Sequence, residues 1–344
     1  VLRKLLIGAR LSRGVVRAAA GLAILLYLTV YWKAGSFLPE FISRDAEKIQ
    51  SQIGGSSTYQ DTSFDAVAKF YASLGEIGTH LFVMAVGAAF IGLTLGCSRR
   101  AGGLLLNAML VAPCVFFNLF VASKDTLVVL ISILLVLIGR RGKTGPTVVA
   151  AIALYGAYAF TVRSYFALIL VIAALTWMFR LGSLRVRTVL IVALLLGLYV
   201  LPNGAYYLLL HPRDMAVDYL VAGSPYGART GFYNPFEPVS FTAFCLDYGY
   251  ALLKLNMPAL FFPGPKELAM SVFVWIVIGS VFGRNPAGPG SAQASITDGL
   301  ASLVIGHIAV SMLFEPDLGS YLRHLSSVVL FCAWRLNGSA TRRT

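Results

Sequence analysis

Glu315-Pro316-Asp317-Leu318-Gly319-Ser320-Tyr321-Leu322-Arg323-His324 sets two acids, a Gly, a Ser, an Arg and a His between two long apolar runs. Ionisable groups are costly in hydrocarbon, and a cluster this dense belongs at a membrane surface where it has work to do. The whole chain supports that reading. Of its 344 residues 58% are hydrophobic and 12% charged, with a mean hydropathy of +0.77. Soluble domains carry roughly 25% charged residues, so the sequence predicts an all-α polytopic membrane protein. One integral membrane domain accounts for residues 1–344.

Outward from that stretch, apolar runs long enough to span, or nearly so, recur about ten times. They fall at roughly 15–32, 78–97, 104–122, 125–139, 146–162, 165–179, 188–202, 268–283, 297–314 and 320–336. The first follows a basic lead-in, Val1 to Arg17, without a small-residue cleavage site, and reads as a retained helix. Two connections, about 33–77 and 203–267, are too long for turns; their spaced aromatic and apolar residues predict amphipathic helices on the bilayer surface.

The formal charge of +13 is explained by where it sits. With the N-terminus inside, one face collects the lead-in, Arg99-Arg100, Arg140-Arg141-Gly142-Lys143, Arg180 to Arg187, Arg284, Arg335, Arg342 and Arg343. That face holds 17 of the 28 Lys and Arg and a single acid, Asp298. This is the positive-inside pattern, and it places both termini in the cytoplasm. Nucleic acid is not needed to account for the excess. Four scattered Cys, with no CxxC and no HExxH, indicate neither a disulfide framework nor a metal site.

In this topology three helices start at the outer face with a cation in or beside the first turn: Ser123-Lys124-Asp125, Arg163-Ser164-Tyr165 and Gly319-Ser320-Tyr321-Leu322-Arg323-His324. The helix dipole favours acids there. Three exceptions on one face make sense around an anion, because helix N-termini bind phosphate and Arg recognises it bidentately. Lys124, Arg163 and Arg323 are therefore the anion-holding candidates, with Ser123, Tyr165 and Tyr321 beside them. Each cluster has a plainer reading. Ser123 and Ser320 can be N-caps, Lys124 can snorkel, Asp125 can complement the dipole, and Arg163 can anchor the interface. His307 and His80 read as packing residues.

A transfer reaction also needs a proton acceptor. The outer carboxylates with suggestive context are Asp45, Glu47, Asp61, Asp65, Asp125, Glu315 and Asp317. A carboxylate suits displacement at an anomeric carbon. Asp45 and Asp317 are the first choices, with Glu315 and His324 next.

Ser123-Lys124-Asp125, the late Gly319-Ser320-x-x-Arg323-His324 element and Asp45-Ala46-Glu47-Lys48-Ile49-Gln50 resemble elements of the Wzy-type polysaccharide repeat-unit polymerases, GT-C-like membrane glycosyltransferases. The layout of ten helices with two large outer loops is similar over essentially the whole chain. The resemblance implies polymerisation of undecaprenyl-pyrophosphate-linked repeat units at the outer face of the bacterial inner membrane, for O-antigen or exopolysaccharide. The growing glycan passes to a new repeat unit and undecaprenyl pyrophosphate leaves, with no metal or other cofactor. Lys124, Arg163 and Arg323 would hold pyrophosphate, and His324 would assist. A chain-length regulator is a candidate partner. Some members carry Arg-x10-Gly in the large loop; here Arg213 precedes Gly223 one residue short of that spacing, which makes Arg213 and Arg229 weaker pyrophosphate candidates.

A single-sugar transferase using a polyprenyl-phosphate donor, or an O-antigen ligase, would also work at the outer face. A lipid-glycan flippase should show internal repeats and ionisable groups at mid-membrane, whereas here they gather at one set of helix ends. The topology is directly testable. A phosphatase reporter fused after Arg141 should stay inactive in the cytoplasm and one fused after Ser164 should be active outside; the reverse pattern would overturn the orientation.

Overall fold

The computed structural model describes residues 8–37, 49, 51–52, 62–223, 229–283 and 291–337. Among them there is no strand, only an isolated bridge between Arg10 and Arg100. The molecule is a helical membrane protein. Five helices are long and apolar enough to cross a bilayer: α1 (Arg13–Phe37), α2 (Thr62–Gly96), α3 (Ala101–Asn118), α11 (Pro265–Phe282) and α12 (Ala292–Phe314).

Between these lie α4 (Lys124–Gly139), α5 (Thr144–Thr161), α6 (Phe166–Leu181), α7 (Leu184–Tyr199), α8 (Asn203–Gly223), α9 (Phe241–Asn256) and α10 (Pro258–Phe261). After α12 come α13 (Leu318–Ser326) and α14 (Val329–Asn337), the last described helices. Ten continuous spans are thus more than the helices show. The expected span at 320–336 is two short helices parted by a turn at Ser327-Val328, because Asp317, Arg323 and His324 bring the first of them to a polar end of the bundle. The run at 188–202 ends at Tyr199, where the chain bends by 92° into α8; taken together the pair would make a sixth crossing.

The long connection 203–267 is itself mostly helical, as α8, α9 and α10. Of the connection 33–77, the described part is largely the first half of α2. Gly75, with φ 68 and ψ 175, breaks α2 into an amphipathic arm and an apolar shaft. The positive φ suits Gly alone. Phe64, Val67 and Tyr71 of that arm are buried against the bundle. That burial answers the spacing of apolar residues seen in the sequence.

α12 is the pillar. It is the most buried of the long helices and packs most extensively on α6. Gly306 permits the approach: a Cβ there would stand 2.6 Å from the Ile169 carbonyl oxygen. Without a hydrophobic drive between helices in lipid, such small-residue contacts supply close van der Waals packing. At α1 the same device recurs, since Gly87 makes room for the Tyr27 ring. Tyr27 then donates its hydroxyl hydrogen bond to the Leu119 carbonyl at 2.8 Å, across the end of α3.

At the opposite end from the Glu315 stretch, arginines close the bundle. A helix C-terminus leaves four carbonyls without partners. For α11 they are met from outside: Arg335 donates to the Ser280 and Gly283 oxygens at 3.0 and 2.9 Å, and Arg180 donates to the Val281 oxygen at 2.7 Å. Asp298 pairs with both guanidinium groups. One carboxylate and two arginines thereby join α6, α11, α12 and α14. Removing one member of such a buried pair strands the rest, at about 3–5 kcal/mol. Arg335→Ala should therefore lower the thermal stability of the detergent-solubilised chain by that order, whereas Arg185→Ala, at an exposed site on α7, should leave it within about 0.5 kcal/mol. Equal melting of the two variants would discard the clamp.

Candidate functional site

The other end of the bundle gathers the C-terminal ends of α3, α5 and α12 and the starts of α4, α6 and α13. Its centre is Asp125, 1% exposed. Arg323 Nε lies 3.1 Å from one carboxylate oxygen. The other is 3.7 Å from Arg163 Nη1 and 3.5 Å from His324 Nε2. Residues more than 190 apart in the chain are thus held on one acid, and all three motif clusters of the sequence meet there.

Each arm of the cluster is fixed by backbone chemistry. Ser123 caps α4: its hydroxyl accepts the Thr126 N–H at 3.1 Å, and the Thr126 hydroxyl accepts the Ser123 N–H at 3.3 Å. This reciprocal box satisfies two N–H groups that would otherwise lack partners. Thr126 also donates to the Asn118 carbonyl at 2.7 Å, sealing the α3–α4 turn. Tyr71, on the arm of α2, donates to the Ser123 carbonyl at 2.9 Å, and Tyr158 of α5 donates to the Lys124 carbonyl at 3.2 Å. The start of α4 is therefore gripped from both sides.

Asn118 does the same for α13, donating from Nδ2 to the Arg323 carbonyl at 2.9 Å and to Ser326 Oγ at 3.1 Å. Asp317 caps α13 by accepting the Ser320 N–H at 2.8 Å. Its carboxylate, a first choice for the base on sequence grounds, is occupied in holding the helix start. Ser123 is likewise a cap.

Around His324 the arrangement is directional. Nδ1 bonds the Glu315 carboxylate, and Nε2 bonds the Arg163 guanidinium, which also donates to the Tyr165 hydroxyl at 2.6 Å. An ionised carboxylate only accepts and a guanidinium only donates. The neutral imidazole therefore carries its proton on Nδ1 and turns the Nε2 lone pair to Arg163. Glu315 fixes the tautomer, as the second partner of a working His does.

Over this cluster opens a cavity of about 530 Å³ lined by Lys124, Arg163, Tyr165, Glu315, Ser320, Arg323 and His324, with Phe160 and Phe314 at its sides. Phe314 stacks on Tyr165 at 5.7 Å. Lys124 holds its ammonium 3.1 Å from the centroid of the Phe64 ring. Two guanidinium groups and one carboxylate line the cavity together with buried Lys124, whose ammonium is turned onto Phe64, while Asp125 lies beneath them. The result is an anion-attracting pocket with a polar floor.

The remaining sequence candidates lie elsewhere. Tyr321 is fully buried and donates to Asn256 Oδ1 at 2.8 Å, bracing α13 against α9. Arg213 is also fully buried. It donates to Asn234 Oδ1 at 2.8 Å and to the Met312 carbonyl, with its guanidinium carbon 5.0 Å from the Phe232 centroid. Together with the bond from the Phe232 N–H to the Pro316 carbonyl at 3.1 Å, this ties the 229–240 segment over the Glu315-Pro316-Asp317 turn. Nearby, burial pushes the Asp247 carboxyl above the ordinary range, against the Phe236 N–H that lowers it. Arg229, with a side chain 70% exposed, pairs with Glu267 at the start of α11, away from the cavity. Asp45 lies outside the described residues.

His307 and His80 each bond a tyrosine, at 3.0 Å to Tyr155 and 2.8 Å to Tyr31. What the sequence undervalues is Asp125, read there mainly as a complement to the dipole, and Asn118. A lone Asn at the end of an apolar run is a signal that something must be held.

Comparison with family models, with curated proteins and with solved structures finds no match for this chain. The functional reading rests on the site itself. Asp125→Asn keeps the shape but removes the charge that separates Arg163 from Arg323. Losing the counter-charge of a buried cluster costs about 3–5 kcal/mol. The variant should unfold at lower temperature than the parent and recover most of the loss when inorganic pyrophosphate is added. A loss that pyrophosphate does not restore would argue against an anion site.

Proposed function

We propose that the chain is a glycosyltransferase that polymerises polyprenyl-pyrophosphate-linked oligosaccharide repeat units on the outer face of a bacterial inner membrane. The observation that carries this reading is the convergence of Lys124, Arg163 and Arg323, from the start of α4, the α5–α6 turn and α13, on one cavity that also holds a Glu315–His324 pair. The excess of Lys and Arg at the other helix ends supports the outward orientation through the positive-inside rule. The resemblance of Ser123-Lys124-Asp125 and of the Gly319 to His324 element to the Wzy-type polymerases points the same way.

In this mechanism the pyrophosphate of the donor lipid enters the cavity and draws the guanidinium groups onto its oxygens. Arg163 then leaves His324 Nε2, whose lone pair turns to the acceptor sugar. A hydroxyl of the new repeat unit attacks the anomeric carbon of the growing glycan. A carbon–oxygen bond forms there as the bond to the pyrophosphate oxygen breaks. The hydroxyl proton passes to Nε2, and Glu315 steadies the imidazolium through Nδ1. Lys124, Arg163 and Arg323 stabilise the charge that develops on the leaving group, where preorganised donors contribute most. Tyr165 and Phe314 offer an aromatic wall against which a sugar ring can lie.

This assigns the proton to His324 rather than to Asp317, which caps its helix. Removing one preorganised donor from such a site lowers turnover by about 10²–10³. Arg163→Ala and Arg323→Ala should therefore leave the protein in the membrane but reduce polymer to traces, with single lipid-linked repeat units accumulating on gels. Polymer of normal length from both would defeat the site. Intact lipid-linked polymer that fails to reach its final acceptor in cells lacking the protein would identify a ligase instead, and repeat units short of one sugar a single-sugar transferase.

A further inference from the structure

The α5–α6 hairpin carries a second cavity. At its turn, Ala159 to Tyr165 line the cationic cleft. Further along, the two helices part and leave a wedge of about 350 Å³, closed behind by α12 and walled almost wholly by apolar atoms. Small residues make the space: Ala151 on α5, Ala173 and Ala174 on α6, and Gly299 on α12. Trp177 forms one wall, lying 3.6 Å from where a Gly299 Cβ would be. Ile152 and Val171, 58% and 55% exposed, are the lips through which the wedge meets lipid.

Three facts connect wedge and cleft. Val148, Ile152 and Ala159 fall on one face of α5 at i, i+4 and i+11, so one stripe of that helix serves both. The cleft is where an anionic headgroup would be held, by charge. The depth is also informative. From Ala159 the wedge begins about 10 Å down α5 at Ile152 and continues to about 22 Å at Thr144, at 1.5 Å per residue. A leaflet is about 15 Å deep, half the hydrocarbon core. An ordinary acyl tail whose headgroup sits in the cleft reaches less than halfway along the wedge and leaves its deeper part unfilled. Only a tail longer than a leaflet fills it.

We propose that the wedge holds the distal part of a long polyprenyl tail whose phosphate lies among Lys124, Arg163 and Arg323. The inference rests on the anion site proposed above and adds to it how the enzyme would recognise its carrier lipid. A tail in the wedge exchanges lipid neighbours for protein ones, so its contribution is close packing rather than transfer out of water. Selectivity then comes from length: the headgroup is common to many lipids, the reach is not.

The test uses the full chain in phosphatidylcholine nanodiscs with two photoreactive undecaprenyl phosphates, one bearing a diazirine at the far end of the tail and one beside the phosphate. The tail probe should label peptides from 144–152, 170–177 or 295–303, and the head probe peptides from 159–165. Tail labelling should fall about tenfold, the effect of a 1.4 kcal/mol loss of affinity, in Arg323→Gln and again in Ile152→Trp. The latter narrows the lip at a lipid-facing position far from the cleft, and head labelling should fall with tail labelling, because head and tail belong to one lipid. Unlabelled undecaprenyl phosphate should compete and phosphatidylglycerol should not. Tail labelling that phosphatidylglycerol competes equally, or that ignores Arg323→Gln, would reduce the wedge to a general lipid slot and overturn the proposal. Head labelling of the cleft without tail labelling of the wedge would overturn the tail site alone. Absence of head labelling from the cleft would overturn the anion site and the tethered tail with it.

Discussion

A carboxylate with almost no access to solvent must be surrounded by positive charge or lose its own. Asp125 is flanked by Arg163 and Arg323, and most of what is distinctive in this bundle serves that requirement. Asn118 holds the turn that presents Arg323. Tyr71 and Tyr158 hold the turn that presents Asp125. The arm of α2 folds back beyond Gly75 to lay Phe64 against Lys124. Elsewhere the helices carry the apolar surface that any membrane bundle needs.

The acid also makes the cations usable. Arginines brought together with no counter-charge would repel one another; joined through Asp125 they stand close while still turned toward the cavity. For the pyrophosphate proposed above, the donors are thus assembled in advance, and little reorganisation is left to be done. The plain structural readings of the motif clusters are not rivals to this one. Ser123 and Asp317 act as caps, and by capping they set the starts of α4 and α13 from which Lys124, Asp125 and Arg323 project.

Much of this is legible in the sequence. The helical membrane class follows from composition, and polar groups set in an apolar chain mark out Lys124, Arg163, Glu315, Arg323 and His324. The dipole argument holds only for Lys124, in the first turn of α4, since Arg163 lies in the α5–α6 turn and Arg323 and His324 fall in the last turn of α13, where the dipole favours them. Two kinds of residue were not legible. Arg213, through a near match to Arg-x10-Gly, and Tyr321, inside a motif, stand out in the sequence as substrate groups, yet they are engaged in tying segments together; burial is a property of the fold that local sequence does not carry. The split of the last run into α13 and α14 was hidden for the opposite reason. Its mean apolarity is that of a span, and only the placement of Asp317, Arg323 and His324 in three dimensions requires a break.

The order in which the chain is made gives the hub a further significance. Asp125 stands in the first turn of α4 and Arg163 in the turn that follows α5, so the acid meets its first cation soon after the α4–α5 hairpin is synthesised. Arg323 follows some 160 residues later, when α13 docks on α3 through Asn118. An early partner keeps the nascent bundle from holding a bare charge while the rest is still on the ribosome. The late one completes the pocket only when the whole chain is in place. A product cut short before α13 would lack the second arginine, and the cluster around Asp125 would stay half built.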